Sequence, residues 1–320
     1  MVSVSIMVEG HMGLTWPLWK RWVAMVEANG FSGLYLSDHF TLLEDFHHAS
    51  LEAIAALTYL ADHTERIQFG PLVAPLSFRD PVMLARQAAA LDDLSAGRMN
   101  LGIGAGWNEH EHRIFGYNLG NLSERYMRWE EGLEVITNLL QSSEPVSYQG
   151  QFYRLRNAVL LPRPARPGGP RILVGGRGRK RTLALVARYA DIWNSVSIGP
   201  EQFRDYSSDL DALLLAQQRQ PSDIKHTAAT PCFFGHTSKV LKRRMQLALE
   251  WHPDLAALPL EAAVESFSAK SGAVAGLPEN VIDKIRQFEH AGAEEIILQW
   301  YHVEDVTGAE ALADHVLSRL

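Results

Sequence analysis

The chain has 320 residues, of which 47% are hydrophobic and 21% charged, the proportions of a globular protein rather than a disordered or fibrous one. Thirty Lys and Arg against 37 Asp and Glu leave a net charge of −7, and with no long basic run this excludes the electrostatic footprint of a nucleic-acid or acidic-membrane partner. Cys232 is the only cysteine, so no disulfide forms within the chain. Neither a secretory pattern at residues 1–9 nor an apolar run of about 18 residues is present, and a cytoplasmic location is expected.

In chain order, short β-branched runs alternate with longer amphipathic stretches. A strand at 2–8 precedes a helix at 16–29, with Gly30 as its stop signal. Residues 33–37 read as a strand before a helix at 51–63, and 67–73 as a strand before a helix at 81–94, which Asp80 caps and Pro81 opens. A strand at 99–103 precedes a helix at 123–140. Strands at 171–174, 192–195, 224–234 and 295–299 complete a set of eight. Eight strand–helix units in a chain of this length favour a (β/α)8 barrel over an open doubly wound sheet, within a single domain. Two segments break the rhythm. Residues 144–169 hold a hairpin signal, Tyr148-Gln149-Gly150-Gln151-Phe152-Tyr153, and a proline-rich crossing; 251–278 reads as an irregular insertion of the kind that forms lids or binding loops.

In such a barrel the chemistry gathers where strands end. Those positions hold Glu9 and His11, then Asp38 and His39, then Gly104-Ala105-Gly106-Trp107, then Gly175-Gly176-Arg177-Gly178, and Trp193-Asn194. The Gly175–Gly178 loop is flanked by Arg177, Arg179, Lys180 and Arg181 just before a helix, which suits a phosphate; a tight turn with a solvated basic cap explains it as well. Gly102-x-Gly104-x-Gly106 lacks the third glycine of a dinucleotide fingerprint, since position 107 is Trp. His39 is either a proton donor near neutral pH or one more loop histidine among 13. Trp107 and Trp193 read as an aromatic wall or as core, whereas Trp19 and Trp22 read as core.

The clusters His47-His48 and Glu109-His110-Glu111-His112 contain metal-ligand types, but neither has the i, i+4 histidine spacing of a helical zinc site, and a solvated loop is the expectation for both. No metal is expected.

Taken as an ordered set, several stretches resemble the luciferase-like flavin and deazaflavin oxidoreductases, in the branch that uses coenzyme F420. They are Leu34-Tyr35-Leu36-Ser37-Asp38-His39-Phe40, Phe69-Gly70-Pro71-Leu72-Val73-Ala74-Pro75, Leu91-Asp92-Asp93-Leu94-Ser95-Ala96-Gly97-Arg98, Leu101-Gly102-Ile103-Gly104-Ala105-Gly106-Trp107, Ile172-Leu173-Val174-Gly175-Gly176-Arg177-Gly178 and Tyr189-Ala190-Asp191-Ile192-Trp193-Asn194. The resemblance covers the chain to about Asn194 and thereafter mainly Ala291-Gly292-Ala293.

This resemblance implies a barrel holding an elongated, phosphate-bearing cofactor, with the phosphate at Gly175, Gly176, Arg177 and Gly178 and the redox ring near His39, the expected catalytic residue. Asp38, Pro71, Leu72, Gly104, Ala105 and Gly106 complete the expected cofactor set, and a non-prolyl cis peptide is implied at Pro71-Leu72. Glu9, Trp107 and Trp193 are the candidates for the substrate side, facing a small or medium organic molecule between which and F420 a hydride passes. Relatives with an acid at the position of Trp107 protonate substrate there; this chain cannot, which speaks against sugar-phosphate oxidation. The alternatives are an FMN-dependent monooxygenase fed reduced flavin by a separate reductase, a cofactor-binding protein without turnover, and a metal-dependent barrel hydrolase. A homodimer is expected from the family, and the pocket is expected from 40–50 and 251–278.

Overall fold

Strand β1 (Ser3–Val8) shows how the fold is assembled. Ser5 and Met7 point to one face and Ile6 and Val8 to the other, because successive side chains of a strand alternate. Ile6 and Val8 join the main core against the helices, while Met7 joins a smaller interior cluster with Tyr35, Leu72, Leu173, Ile192, Ala229 and Ile297. Both faces are buried, as expected of a parallel strand with helices outside and packed side chains within.

The computed structural model describes residues 2–41 and 48–320. After β1 come α1 (Trp16–Ala28), β2 (Gly33–Leu36), α2 (Ala53–His63), β3 (Gln68–Pro71), β4 (Ala74–Pro75), α3 (Pro81–Leu94), β5 (Asn100–Gly104), α4 (Glu109–Phe115) and α5 (Leu122–Gln141). The hairpin β6 (Val146–Gln149) and β7 (Arg154–Ala158) follows. The second half holds β8 (Arg171–Gly175), α6 (Thr182–Tyr189), β9 (Ile192–Val196), α7 (Pro200–Ala216), β10 (Lys225–Phe234), α8 (Ser238–Trp251), α9 (Leu260–Ser271), β11 (Val274–Gly276), α10 (Pro278–His290), β12 (Glu295–Trp300) and α11 (Val306–His315).

The sheet runs β3-β2-β1-β12-β10-β9-β8-β5-β4 with every pairing parallel. It closes where Phe69 bridges Met99 and the Phe69 N–H donates to Arg98 O at 3.2 Å. β3 and β4 are two halves of one stave, the first paired to β2 and the second to β5, so the barrel has eight staves. Closure depends on glycine. A Cβ on Gly70 would stand 1.8 Å from Asn100 O, and one on Gly102 would stand 2.1 Å from Pro71 O.

Several sequence expectations need correction. The cis peptide lies at Leu72-Val73, one bond later than Pro71-Leu72. The Leu72 N–H still donates to Leu36 O at 2.9 Å, so the preceding peptide stays in the ladder with β2 and the stave breaks after it. The 251–278 stretch is not irregular. It contains α9, whose Leu260, Ala263, Val264 and Phe267 recur at helical spacing, and β11, which pairs with Cys232, Phe233 and Phe234. These elements cover Phe233 in a second apolar cluster beyond the barrel rim. Among the described residues no helix is long and apolar enough to cross a membrane.

Candidate functional site

A cavity of about 470 Å³ opens at the C-terminal ends of the staves. Strand parity selects what enters it. On β12 the inward column runs Glu295, Ile297, Gln299 and continues to Tyr301; on β1 it runs Ser5, Met7, Glu9, so Glu9, Gln299 and Tyr301 reach the mouth. On β9 Asn194 and Val196 line the cavity, while Trp193, one residue before Asn194, points outward.

Of the residues singled out from sequence, Glu9, His39, Leu72, Gly104, Ala105, Gly106, Trp107, Gly175 and Gly176 line this one cavity. Others do not. Trp193 is fully buried between barrel and helices, stacked on Phe203 at 5.3 Å, with its Nε1–H donating to Gly176 O at 2.8 Å. It is core, not a substrate wall, because it has the opposite parity to Asn194. Asp38 is turned away from the cavity: Arg79 donates to it through Nε at 2.8 Å and Nη2 at 2.6 Å. Burial raises the Asp38 pKa, with Arg79 opposing. Pro71 belongs to the β2–β3 ladder below the mouth.

The glycine loop is divided in the same way. The Gly176 N–H is committed to Asn194 O at 2.9 Å, and Arg177 donates to Ser197 O at 3.2 Å. Gly178 sits over the start of α6, where a Cβ would come 2.7 Å from Thr182 Oγ1 and 3.3 Å from Tyr126 Oη. Arg179 pairs with Asp209, and Arg181 lies over the Tyr126 ring at 5.3 Å. Arg177 and Gly178 thus flank the cavity without lining it.

His39 is the electrostatic centre of the site. Its Nδ1 is 3.1 Å from Glu111 Oε2, and Glu111 Oε1 accepts the Phe40 N–H at 2.5 Å and the Thr41 N–H at 3.4 Å. Burial alone would lower the imidazole, but the Glu111 carboxylate, followed by Glu9 and Asp38, holds it above its ordinary value. Glu111 is fully buried; burial pushes its carboxyl up, yet His39 and the two backbone donors bring it below the ordinary range. The two directions agree on an ion pair. Trp107, 60% exposed, meets the His39 ring edge-on at 5.5 Å.

Glu111 and His112 lie on α4, in the cluster expected to be solvated; both are buried instead. Asn108 caps this helix by accepting the Glu111 N–H at 3.2 Å, which turns Glu111 and His112 toward the mouth. His112 Nδ1–H donates to Asn108 O at 2.7 Å, so Nε2 accepts from Ser77 Oγ at 2.7 Å. Sequence reasoning gave no site role to Glu111, Asn194, Gln299 or Tyr301, although Asn194 stood among the strand-end positions and Glu111 in the cluster read as solvated. Counting parity along β9 and β12 finds the last three, and the Asn-x-x-Glu cap finds the first. Among the described residues no group of three or more His, Cys, Asp or Glu is placed to hold a metal. Leu42, Leu43, Glu44, Asp45, Phe46 and His47, part of the expected pocket segment 40–50 and including one residue of the histidine pair, lie outside the described residues.

A closed parallel barrel whose staves deliver an imidazole–carboxylate pair to a glycine-walled cavity at their C-terminal ends defines the class: a (β/α)8 barrel with its site at the mouth. The chain belongs to the luciferase-like monooxygenase family, whose model matches residues 9–295. It is similar to an F420-dependent glucose-6-phosphate dehydrogenase of Amycolatopsis mediterranei, 30% identical over 171 residues that cover 53% of this chain and 49% of that protein. An uncharacterised protein of Mycobacterium tuberculosis is also 30% identical, over 185 residues covering 53% of this chain and 64% of that protein. The matched stretch thus spans about half to two thirds of these relatives. A longer match, 25% identical over 295 residues and 87% of this chain, joins it to 86% of an F420-dependent glucose-6-phosphate dehydrogenase of Kribbella flavida. Among solved structures, an F420-dependent secondary alcohol dehydrogenase in complex with an F420-acetone adduct superposes with a TM-score of 0.82 at 18% identity, covering 99% of both chains. A monooxygenase from Streptomyces bottropensis gives 0.81 at 21% identity, again covering 99% of both chains. At these identities the likeness shows the fold alone.

Proposed function

We propose that this chain is an F420-dependent oxidoreductase, a single barrel domain that passes a hydride between the deazaflavin and a small or medium organic substrate. The observation that carries it is the ion pair between half-buried His39 and fully buried Glu111 at the edge of a glycine-walled cavity; the F420-dependent relatives supply the choice of cofactor. The residues present fit a flat ring with an anionic tail. Gly104, Gly175 and Gly176 line the cavity without side chains, and a Cβ on Gly104 would come 2.6 Å from Val73 Cγ2, so the wall is flattened where a ring would lie. The tail's phosphate would be held at the Gly178 bend by Thr182 Oγ1 and Tyr126 Oη, themselves 3.0 Å apart, at the positive end of α6.

When bound, F420 supplies a ring carbon that accepts or gives a hydride. The chain's own residues do the rest. His39 keeps a proton for the substrate oxygen, with Nδ1 bonded to Glu111 and Nε2 left for the cavity. Glu9, fixed by the Gln299 amide, bounds the substrate side together with Trp107. Asp38 and Arg79 hold the loop that carries His39.

Titration with F420 and with FMN, read by cofactor fluorescence, tests the reading. Tight F420 binding is expected, and FMN binding without measurable F420 binding would overturn the assignment. His39→Ala should slow hydride transfer by about 10²-fold or more while F420 affinity changes only a few-fold. Equal losses would favour a binding protein without turnover. A second reading, an FMN monooxygenase served by a separate reductase, draws support from the matched family model. It predicts oxygen consumption with reduced FMN.

A further inference from the structure

We propose that His11 is a substrate-contacting residue, and that the cavity it faces selects an uncharged molecule bearing a hydroxyl or carbonyl group over a phosphorylated or carboxylated one. The inference deepens the oxidoreductase reading and rests on it for the reaction, but not for the recognition.

His11 sits on the short turn Gly10–Met12 after β1, is 5% exposed and lines the cavity. Neither ring nitrogen makes a hydrogen bond. Nδ1 stands 3.4 Å from Glu9 Oε2, and the ring meets His39 edge-on at 5.7 Å. A buried polar group without a hydrogen bond is disfavoured by about 1–3 kcal/mol, a loss that a ligand in the cavity removes. The other histidines of the site are already engaged: His39 by Glu111, and His112 by Asn108 and Ser77. His11 is therefore the site's uncommitted imidazole among the described residues.

Its protonation fixes what it recognises. Burial lowers the His11 pKa, outweighing the Glu9 carboxylate, so near neutral pH the ring is uncharged and offers one donor and one acceptor. That pair matches a hydroxyl or a carbonyl and provides no counter-charge for an anion. The rest of the cavity agrees. Glu9 and Glu111 line it, no Lys or Arg does so among the described residues, and the His39 cation faces Glu111. A phosphate ester would lose its hydration beside Glu9 with no cation to replace it. An uncharged substrate of this kind would differ from the one for which the glucose-6-phosphate dehydrogenase relatives are named.

The test uses protein labelled with ¹⁵N-histidine, with the His11 ring signals assigned by their loss in His11→Gln. Cyclohexanol, cyclohexanone, glucose and glucose 6-phosphate are titrated in turn, first without cofactor and then with F420. At least one uncharged probe should move the His11 signals at concentrations where glucose 6-phosphate does not. On a probe that is turned over, His11→Ala should raise KM about tenfold or more and change kcat about threefold or less, with part of the KM recovered in His11→Gln. The proposal is overturned if glucose 6-phosphate moves the signals as readily as the uncharged probes, if no probe moves them, or if His11→Ala leaves KM unchanged. Absent F420 binding in the same protein would sink the cofactor reading alone, because the cofactor-free titration still decides the role of His11.

Discussion

A histidine serves as an acid near neutral pH only if its surroundings hold the proton, and here that task falls chiefly to the Glu111 carboxylate, with Glu9 and Asp38 behind it. Because the His39 pKa is raised, its acid form persists above the ordinary imidazole range and disappears as pH rises through the raised value. Glu111 is shifted the other way, so its share of the ion pair is present above the ordinary carboxylate range and is lost as pH falls through its lowered value. The pair is complete between those two limits. Glu111→Gln removes the charge that raises His39, and the alkaline break of the pH–rate profile should move to lower pH; an unmoved break would show that the carboxylate does not set the acid. A second pair of neighbours separates fold from site. Trp193→Ala should cost about 3–5 kcal/mol in denaturant unfolding, as expected for emptying a fully buried aromatic position. Asn194→Ala, one residue on, should alter KM and leave the midpoint nearly in place, because Thr227 Oγ1 keeps its own bond to Trp193 O.

At the scale of the element, barrel closure rests on two strands that approach too closely for side chains. Gly70→Ala would drive a Cβ into Asn100 O, backbone that cannot rotate aside, and is expected to cost about 3 kcal/mol or to abolish soluble expression. Gly116→Ala, a positive-φ position with nothing near its Cβ, is the control and should cost about 1 kcal/mol, measured by the same unfolding midpoint. How legible each element was follows from where its information lies. The eight staves and the helices α1, α2, α3 and α5 were readable because period 2 and period 3.6 are written locally in the apolar positions. Helix α4 was not. Its seven residues, Glu109–Phe115, are too few to show an apolar period: Ile114 and Phe115 stay exposed, whereas Glu111 and His112 are buried because the barrel mouth covers them. His39, the glycine strips and Glu9 were legible through their place after a strand. Trp193 was misassigned because proximity to a strand end was weighed without parity.

For the whole molecule, the decisive fact is that one cavity collects residues from all eight staves and their following loops: Met7 and Glu9 from β1, His39 after β2, Leu72 and Pro75 around β3 and β4, Gly104 from β5, Gly175 from β8, Asn194 from β9, Ala229 from β10 and Gln299 from β12. A ligand bound there touches the sheet around its full circumference, so it stabilises the barrel as a unit rather than one loop. Binding to the folded form alone at a free concentration a hundred times Kd contributes about 2.7 kcal/mol. For a chain of this size that corresponds to a rise in Tm of about 5 °C. F420 should produce that rise in a thermal scan, and His39→Ala should keep most of it, since the imidazole acts on the substrate oxygen and the glycine walls and the Gly178 bend hold the cofactor. Gly178→Val should lose it, because the added side chain fills the space against Thr182 Oγ1. A barrel whose Tm responded to F420 equally in wild type and Gly178→Val would hold the cofactor tail elsewhere.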